Sequence, residues 1–328
     1  MSVAFEVDAV LEELRSANKF LLTTHENPDG DALGSLLGMH EVLKALGKES
    51  VMFLGADEFP LPWEYRKMPL DEVQNEPPAD LAERTVVFLD CGNIDRMPVD
   101  FLQRDGIHIV NVDHHHDNTR FGTVNLVDPG ASCTAEIVWE LAKELGVEIT
   151  PAIGDALYVG LVTDTGRFMY TNTSPRAHRM AAELIEAGVD THAIYRRLYE
   201  QLPYARLQLL SRALNALQRL DGGVLTATSL TRADFEETGA VESDSEGIVD
   251  HLRSVEGTKV ALVVRELLSD DRGRSHKISM RATDGTVDVS VIARGLGGGG
   301  HRQAAGASSD LPLDELLDTI RKAIKEQL

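Results

Sequence analysis

Cysteine is scarce in this chain: Cys91 and Cys133 are the two thiols among 328 residues. A pair this sparse makes no disulfide framework, so a reducing, cytoplasmic setting is expected. Long apolar runs are also missing. None approaches the roughly 18–20 residues that a membrane-spanning helix needs, so no membrane association is expected. The opening stretch MSVAFEVDAVLEELR is acidic and amphipathic, without the basic flank and apolar segment of a secretory signal. Basic residues are few: 32 Lys and Arg stand against 53 Asp and Glu, for a formal net charge of −21. No run of Lys and Arg could line a long groove, and a chain this acidic repels a long polyanion. A nucleic-acid substrate should therefore be short. Internal repeats are absent, and the one low-complexity stretch is Gly297–Gly300.

What remains is ordinary globular composition, 43% hydrophobic and 26% charged. The length suits two domains better than one. We expect a first domain over 1–189, a helical connector over 190–210 and a second domain over 211–328. In the first, a helix from about Val7 to Ala17 precedes the apolar strand KFLLTT (Lys19–Thr24). A helix follows from about Ala32 to Leu46, with Gly47 beyond its end. ESVMFL, RTVVFLD and the start of IHIVNVDHHH read as further strands. Helices are expected after Ser132, from Pro151 to about Asp164, and from about Pro175 to Ala187. Apolar strands separated by helices predict an α/β fold, a mostly parallel sheet covered by helices on both faces. Pro203 should break the helical connector. GGVLTATSL, TKVALVVREL and SHKISMRAT then read as strands, VDVSVIARGL as a helix, and Leu313–Leu328 as a terminal amphipathic helix, making a smaller α/β C-terminal domain.

Four segments bearing Asp or His sit where apolar runs end. In His25-Glu26-Asn27-Pro28-Asp29-Gly30-Asp31, Pro28 and Gly30 force a turn after a strand. His25, Asp29 and Asp31 can converge at the carboxyl edge of the sheet, where open α/β sheets place ligands. Alternatively, Asp29 or Asp31 only caps the next helix. Asp90-Cys91-Gly92 and Asp113-His114-His115-His116 also end strands, and Asp164 ends an apolar helix. A buried carboxylate there needs a cap role, a cationic partner or a metal. Four carboxylates and two imidazoles suit two hard-to-borderline cations. Mn²⁺ is favoured, with Mg²⁺ and Co²⁺ as alternatives. Two such ions can activate water and neutralise phosphoryl oxygens in line with it.

HENPDGD, Asp90, DHH at 113–115 and Asp164, taken in order, resemble the four motifs of the DHH phosphoesterases. GGGGHRQAAG (Gly297–Gly306), preceded by ISMRA and VDVSVIARGLG, resembles the DHH-associated C-terminal domain. DTGRFMYTNTSP (Asp164–Pro175) is similar to the segment that follows the fourth motif in the bacterial nano-RNases (oligoribonucleases) and pAp phosphatases. The resemblance implies that His25 and Asp29 hold one metal, that Asp31, His114 and Asp164 hold the other, and that Asp90 bridges both. It implies that Asp113 orients a neighbouring imidazole and that His115 bonds the scissile phosphate or protonates the leaving oxygen. His116 has no assigned role. In the second domain Gly298, Gly299 and Gly300 would let backbone N–H groups approach an anion, with His301, Arg302 and Arg281 beside them.

The activity so implied is dimetal hydrolysis of short RNA, linear dinucleotides such as pApA, or the 3′-phosphate of pAp. Other readings are a soluble cyclic di-AMP phosphodiesterase, a manganese-dependent inorganic pyrophosphatase, a RecJ-like single-strand exonuclease, and a nucleotide-binding protein without turnover. The pyrophosphatases carry a Lys- and Arg-rich gripping motif in place of GGGGHRQAAG, and RecJ-like chains are usually longer. The sequence leaves monomer and homodimer both open.

Overall fold

The structure, a computed structural model, describes residues 3–97, 99–104, 106–268 and 275–328. It divides into two compact units between Gln201 and Leu202, inside the stretch expected as a connector. The first unit runs α1 (Val3–Ser16), β1 (Lys19–Thr23), α2 (Gly30–Ala45), β2 (Glu49–Met52), β3 (Thr85–Leu89), β4 (Ile109–Asp113), β5 (Val124–Val127), α3 (Thr134–Glu144), α4 (Pro151–Asp164), α5 (Pro175–Glu186) and α6 (Thr191–Tyr195). Its five strands are all parallel, in the order β2-β1-β3-β4-β5. From β1 the chain moves one way to β2 and the other way to β3. The crevice beyond the carboxyl ends of β1 and β3 is thus the topological switch point of the sheet.

Alternation along the strands sends Phe20, Leu22, Val87, Leu89, Val110 and Val112 into one core, and Leu21, Val86, Phe88 and Ile109 into another on the opposite face. The two faces are covered differently. Residues of α1 through α6 fill the first core. The second is closed by Met97, Phe101, Leu102 and the short 3₁₀ turn Ile94–Arg96, where helices had been expected. The 91–107 segment buries apolar side chains here without forming an α-helix among its described residues.

The second unit runs α7 (Tyr204–Asn215), β6 (Gln218–Leu220), β7 (Leu225–Leu230), α8 (Arg232–Thr238), α9 (Ile248–Arg253), β8 (Val260–Glu266), β9 (His276–Ala282), α10 (Val289–Gly295), β10 (Gly299–His301), β11 (Ala304–Ser309) and α11 (Leu313–Lys325). Its sheet has the order β10-β11-β9-β8-β7-β6, with β7 and β8 parallel and the other pairs antiparallel. Leu262, Val264, Ile278 and Met280 meet α10 and α11 on one face, while Ala261 and Val263 meet α7, α8 and α9 on the other. No helix among the described residues is long and apolar enough to cross a membrane.

A glycine seam joins α2 to α4. Gly30, Gly34 and Gly38 recur every fourth residue and so share one helix face. A Cβ at Gly34 would stand 2.6 Å from the Ala156 carbonyl oxygen, and one at Gly38 would stand 2.5 Å from a Leu157 methyl. On the facing helix, a Cβ at Gly160 would stand 2.8 Å from Asp31 Oδ1. This close approach sets Asp31, at the start of α2, beside the end of α4, where Asp164 sits. Gly34→Ala should therefore destabilise the protein by about 1–3 kcal/mol through overpacking against backbone. Helix propensity alone would add roughly 1 kcal/mol of stability, so the sign is decisive. The measurement is the urea midpoint at constant m-value; a raised midpoint would mean the seam is not tight.

Candidate metal centre

Each sequence-selected residue of the first unit can be followed from its element into one cluster. β1 ends at Thr23, and His25 follows two residues later, buried. Its Nδ1 lies 2.7 Å from the Glu26 carbonyl oxygen and 3.1 Å from Arg96 Nη2. With the ring proton donated to that carbonyl, Nε2 is free to act as a donor atom toward the cluster. It lies 3.6 Å from Asp90 Oδ2. The turn that follows has Asn27 in the left-handed region and ends at Asp29, the N-cap of α2. Asp29 Oδ1 accepts from the N–H groups of Asp31 and Ala32 at 3.0 Å. Capping and ligation are therefore not exclusive, because the second carboxylate oxygen remains available.

Asp31 is 1% exposed and is held by the N-terminus of a second helix. Its Oδ2 accepts from the N–H of Thr134 at 2.6 Å and its Oδ1 from that of Ala135 at 2.9 Å, both in the first turn of α3. Asp90 directly follows β3 with φ of 58°, a strained conformation for a residue with a side chain. Thr134 Oγ1 donates to Asp90 Oδ1 at 3.0 Å. Asp113 ends β4 fully buried, with Oδ1 accepting from the His114 N–H at 2.8 Å and meeting His115 Nδ1 at 2.7 Å. Its other oxygen accepts from Asn118 Nδ2 at 2.6 Å. Asp164 is the last residue of α4, and Asn172 Nδ2 donates to its Oδ2 at 2.9 Å.

Three overlapping sets have donor atoms within 4.8 Å of one another: His25, Asp29 and Asp90; Asp31, His114 and Asp164; and Asp90, His114 and His115. His114 Nε2 faces three carboxylates, 3.6 Å from Asp90 Oδ1 and 3.9 Å from both Asp31 Oδ2 and Asp164 Oδ2. His115 Nδ1, 3.7 Å from Asp90, is committed to Asp113. His116 is exposed.

The electrostatics test whether a cation fits. Burial, then the charges of Asp90, Asp164 and Asp29, drive the Asp31 carboxyl well above its ordinary range. Burial together with the Asp90 and Asp29 charges pushes Asp164 up to about 6, against the opposing pull of His114. Asp90 goes the other way. Burial opposes its charge, but the nearby His25, 3.6 Å away, and the His115 and His114 imidazoles hold it below the usual carboxylate range. Burial likewise opposes charge on His115, yet Asp113 and Asp90 raise it to about 9. Carboxylates crowded at short range, with imidazole nitrogens among them, make a donor set suited to divalent metal ions.

The second-unit candidates lie on its own sheet. Arg281, in β9, donates to the Met280 carbonyl at 3.1 Å and lies 3.8 Å from Asp250. Arg302 is exposed and donates to the Gly285 carbonyl at 2.7 Å. The glycine run is not a free loop: Gly299–His301 pairs with β11, Gly299 opposite Gly306 and Gly300 opposite Ala305. A Cβ at Gly298 would stand 2.6 Å from Ala307 Cα, so small residues are needed for the approach to β11. The His301 side chain lies outside the described part of the structure. Thr134, Asn118, Asn172 and Arg96 were not singled out from sequence. Thr134, Asn118 and Asn172 hydrogen-bond a candidate ligand or its neighbour, and Arg96 stands beside His25.

A model of the DHH family, N-terminal domain, matches residues 19–161, and one of the DHHA1 domain matches residues 223–328. The chain is 36% identical over 312 residues to the "Bifunctional oligoribonuclease and PAP phosphatase NrnA" of Thermus thermophilus, covering 94% of this chain and 89% of that one. It is 29% identical over 302 residues to the protein of the same name from Bacillus subtilis, covering 88% of each. Among solved structures, an exopolyphosphatase-related protein from Bacteroides fragilis superposes with a TM-score of 0.88 at 23% identity, over 98% of this chain and 96% of that one. That likeness is one of fold.

The raised carboxyls carry a sign. Asp164 is expected near 3.8 in the unfolded chain and titrates at about 6 in the metal-free fold. Between those values the folded state binds more protons, so the metal-free protein loses stability as pH rises through the window. A bound cation removes that loss. The gap in Tm between metal-loaded and chelator-stripped protein should therefore widen from about pH 4 to above about pH 6. Calorimetry of both forms across that range measures it, and a constant or narrowing gap would contradict the assignment.

Proposed function

The chain belongs to the DHH family, and we propose that it is a dimetal phosphoesterase that hydrolyses short oligoribonucleotides and the 3′-phosphate of pAp. The observation that carries this reading is the pair of donor sets sharing Asp90 at the switch point of the sheet. His25 and Asp29 would hold one ion, Asp31, His114 and Asp164 the other, and Asp90 both. Mn²⁺ suits a set that mixes imidazole with carboxylate. Bound there, two divalent ions would lower the pKa of water and offset charge on the phosphoryl oxygens.

The remaining roles fall to the chain itself. His115 is oriented by Asp113, and the Asp113 and Asp90 carboxylates raise it to about 9 in the metal-free fold. It can hydrogen-bond the phosphate or pass a proton to the leaving oxygen. Thr134 and the N-terminus of α3 keep Asp90 and Asp31 in place. Arg281, Gly298, Gly299, Gly300, His301 and Arg302 would grip the far end of the substrate. The names of the Thermus and Bacillus relatives support the substrate class. The net charge of −21 supports short substrates over long ones. Two buried free cysteines suit the cytoplasm.

The test begins with protein stripped by chelator and reloaded with Mn²⁺. Product release is followed from an RNA dinucleotide, pAp, linear and cyclic di-AMP, a long single-stranded RNA and pyrophosphate. The dinucleotide and pAp should be fastest; preference for the long RNA or pyrophosphate would overturn the short-substrate reading. Asp90→Ala should lose metal occupancy and activity together. His115→Ala should keep its metals while kcat falls about 10²-fold or more. Loss of metal in that variant, seen by elemental analysis, would make His115 a ligand instead.

A further inference from the structure

The segment 165–174, between α4 and α5, leaves Asp164 through three consecutive left-handed residues: Gly166, Arg167 and Phe168, with φ of 54°, 62° and 64°. Two of them carry side chains, for which this conformation is strained. The strain is held in place along the whole segment. The Arg167 N–H donates to the Val162 carbonyl at 2.8 Å, and the Tyr170 N–H donates to the Thr165 carbonyl at 2.9 Å. The Phe168 ring stacks on His178 of α5 with centroids 5.0 Å apart, and the Arg167 guanidinium lies 5.0 Å from the centre of the Tyr199 ring. At the far end the Asn172 amide ties Asp164 Oδ2 to the Ser132 carbonyl, each at 2.9 Å.

This segment, which follows Asp164 and is tied back to it at Asn172, holds apolar surface in water. Met169 is 82% exposed and Tyr170 is 54% exposed. The Tyr170 ring is backed by Gly166, where a Cβ would stand 2.5 Å from ring carbons. One side of the ring is therefore supported by backbone while much of the rest stays in solvent. An aromatic surface fixed in advance loses little freedom when a flat partner settles on it.

The geometry points to Tyr170, backed by Gly166 and flanked by Met169, as a stacking platform for the nucleobase of a nucleotide whose phosphate lies at the metal centre. It rests on the nucleotide-hydrolase reading and extends it to substrate selection: the site asks for a base without choosing among bases. Every base offers a π-face, and stacking reads no hydrogen-bonding edge.

The test is calorimetric titration of the full-length, metal-loaded protein with AMP and with ribose 5-phosphate, which has the sugar and phosphate but no base. Wild type should bind AMP about tenfold or more tighter than ribose 5-phosphate. Tyr170→Ala should remove most of that preference and leave ribose 5-phosphate unchanged, while Tyr170→Phe should keep it. Tyr170→Leu, which retains apolar bulk without a ring, should behave like the alanine variant and covers the case in which that variant folds poorly. A wild type with no preference for AMP overturns the platform. So does an alanine or leucine variant that keeps the preference, or that weakens both ligands equally. Dinucleotide turnover is followed in parallel. If turnover is absent while the AMP preference depends on Tyr170, the hydrolase reading fails and the platform stands. If turnover is present while the preference ignores Tyr170, the reverse holds.

Discussion

The structure of the first unit is organised around a repulsion. Asp31, Asp90 and Asp164 are brought into mutual range at the carboxyl edge of a parallel sheet, with Asp29 close by, and burial deprives them of the water that would otherwise screen them. No fold accumulates such an arrangement for stability. It is tolerated because the rest of the unit over-determines it. The first turn of α3 offers two N–H groups to Asp31, Thr134 fixes Asp90, and three imidazoles stand among the carboxylates. The strained backbone at Asp90 belongs to the same logic, since a residue at the end of a central strand must turn sharply to aim its side chain into the crevice.

That arrangement depends in turn on how closely two helices meet. Four glycines remove the side chains that would hold α2 and α4 apart, and one of them, Gly160, lies against Asp31 itself. The seam is thus both a packing device and a positioning device. It sets the spacing between the carboxylate at the start of one helix and the carboxylate at the end of the other. In ordinary helix pairs glycine is avoided because it weakens the helix. Here the closeness of the two backbones has to offset that cost, and the apolar surroundings of α4, buried along most of its length, allow it.

Much of this could be read from the sequence because the relevant signals are local. β1, β3 and β4 are short apolar runs, and a carboxylate or histidine closely following each marks the edge of the sheet without any tertiary information. Pro151 and Pro203 mark a helix start and a helix break for the same reason. What was not legible is non-local. β5, with the four residues VNLV, is too short and too polar to stand out, and it becomes a strand only by pairing with β4. The glycine run of the second unit suggests a loop by composition, yet it becomes β10 because β11 approaches closely enough to need glycine at 298 and 300. Thr134, Asn118 and Asn172 act on side chains at least five residues away, so periodicity alone could not have picked them out. The covering of the sheet's second face by chain without α-helix was hidden for a related reason. Ile94, Met97, Phe101 and Leu102 even recur at helical spacing, yet the described residues there form no α-helix and instead pack in a cluster with Phe88 and Phe53.

Charge also orders the events at the proposed centre. The four carboxylates assigned as ligands, Asp29, Asp31, Asp90 and Asp164, would balance two divalent ions and no fewer. With one ion the cluster stays anionic inside a protein that already carries −21, and a phosphate ester meets a repulsive field. With both ions the four ligand carboxylates would be neutralised, and the centre would no longer repel an anion. On this assignment, substrate capture would depend on full metal loading through electrostatics. The same balance would let so acidic a chain act on phosphate, because the field of the bound ions falls off over about a Debye length, roughly 8–10 Å. Such a field would reach the few phosphates of a short nucleotide, while the rest of a long strand would meet a protein of net charge −21.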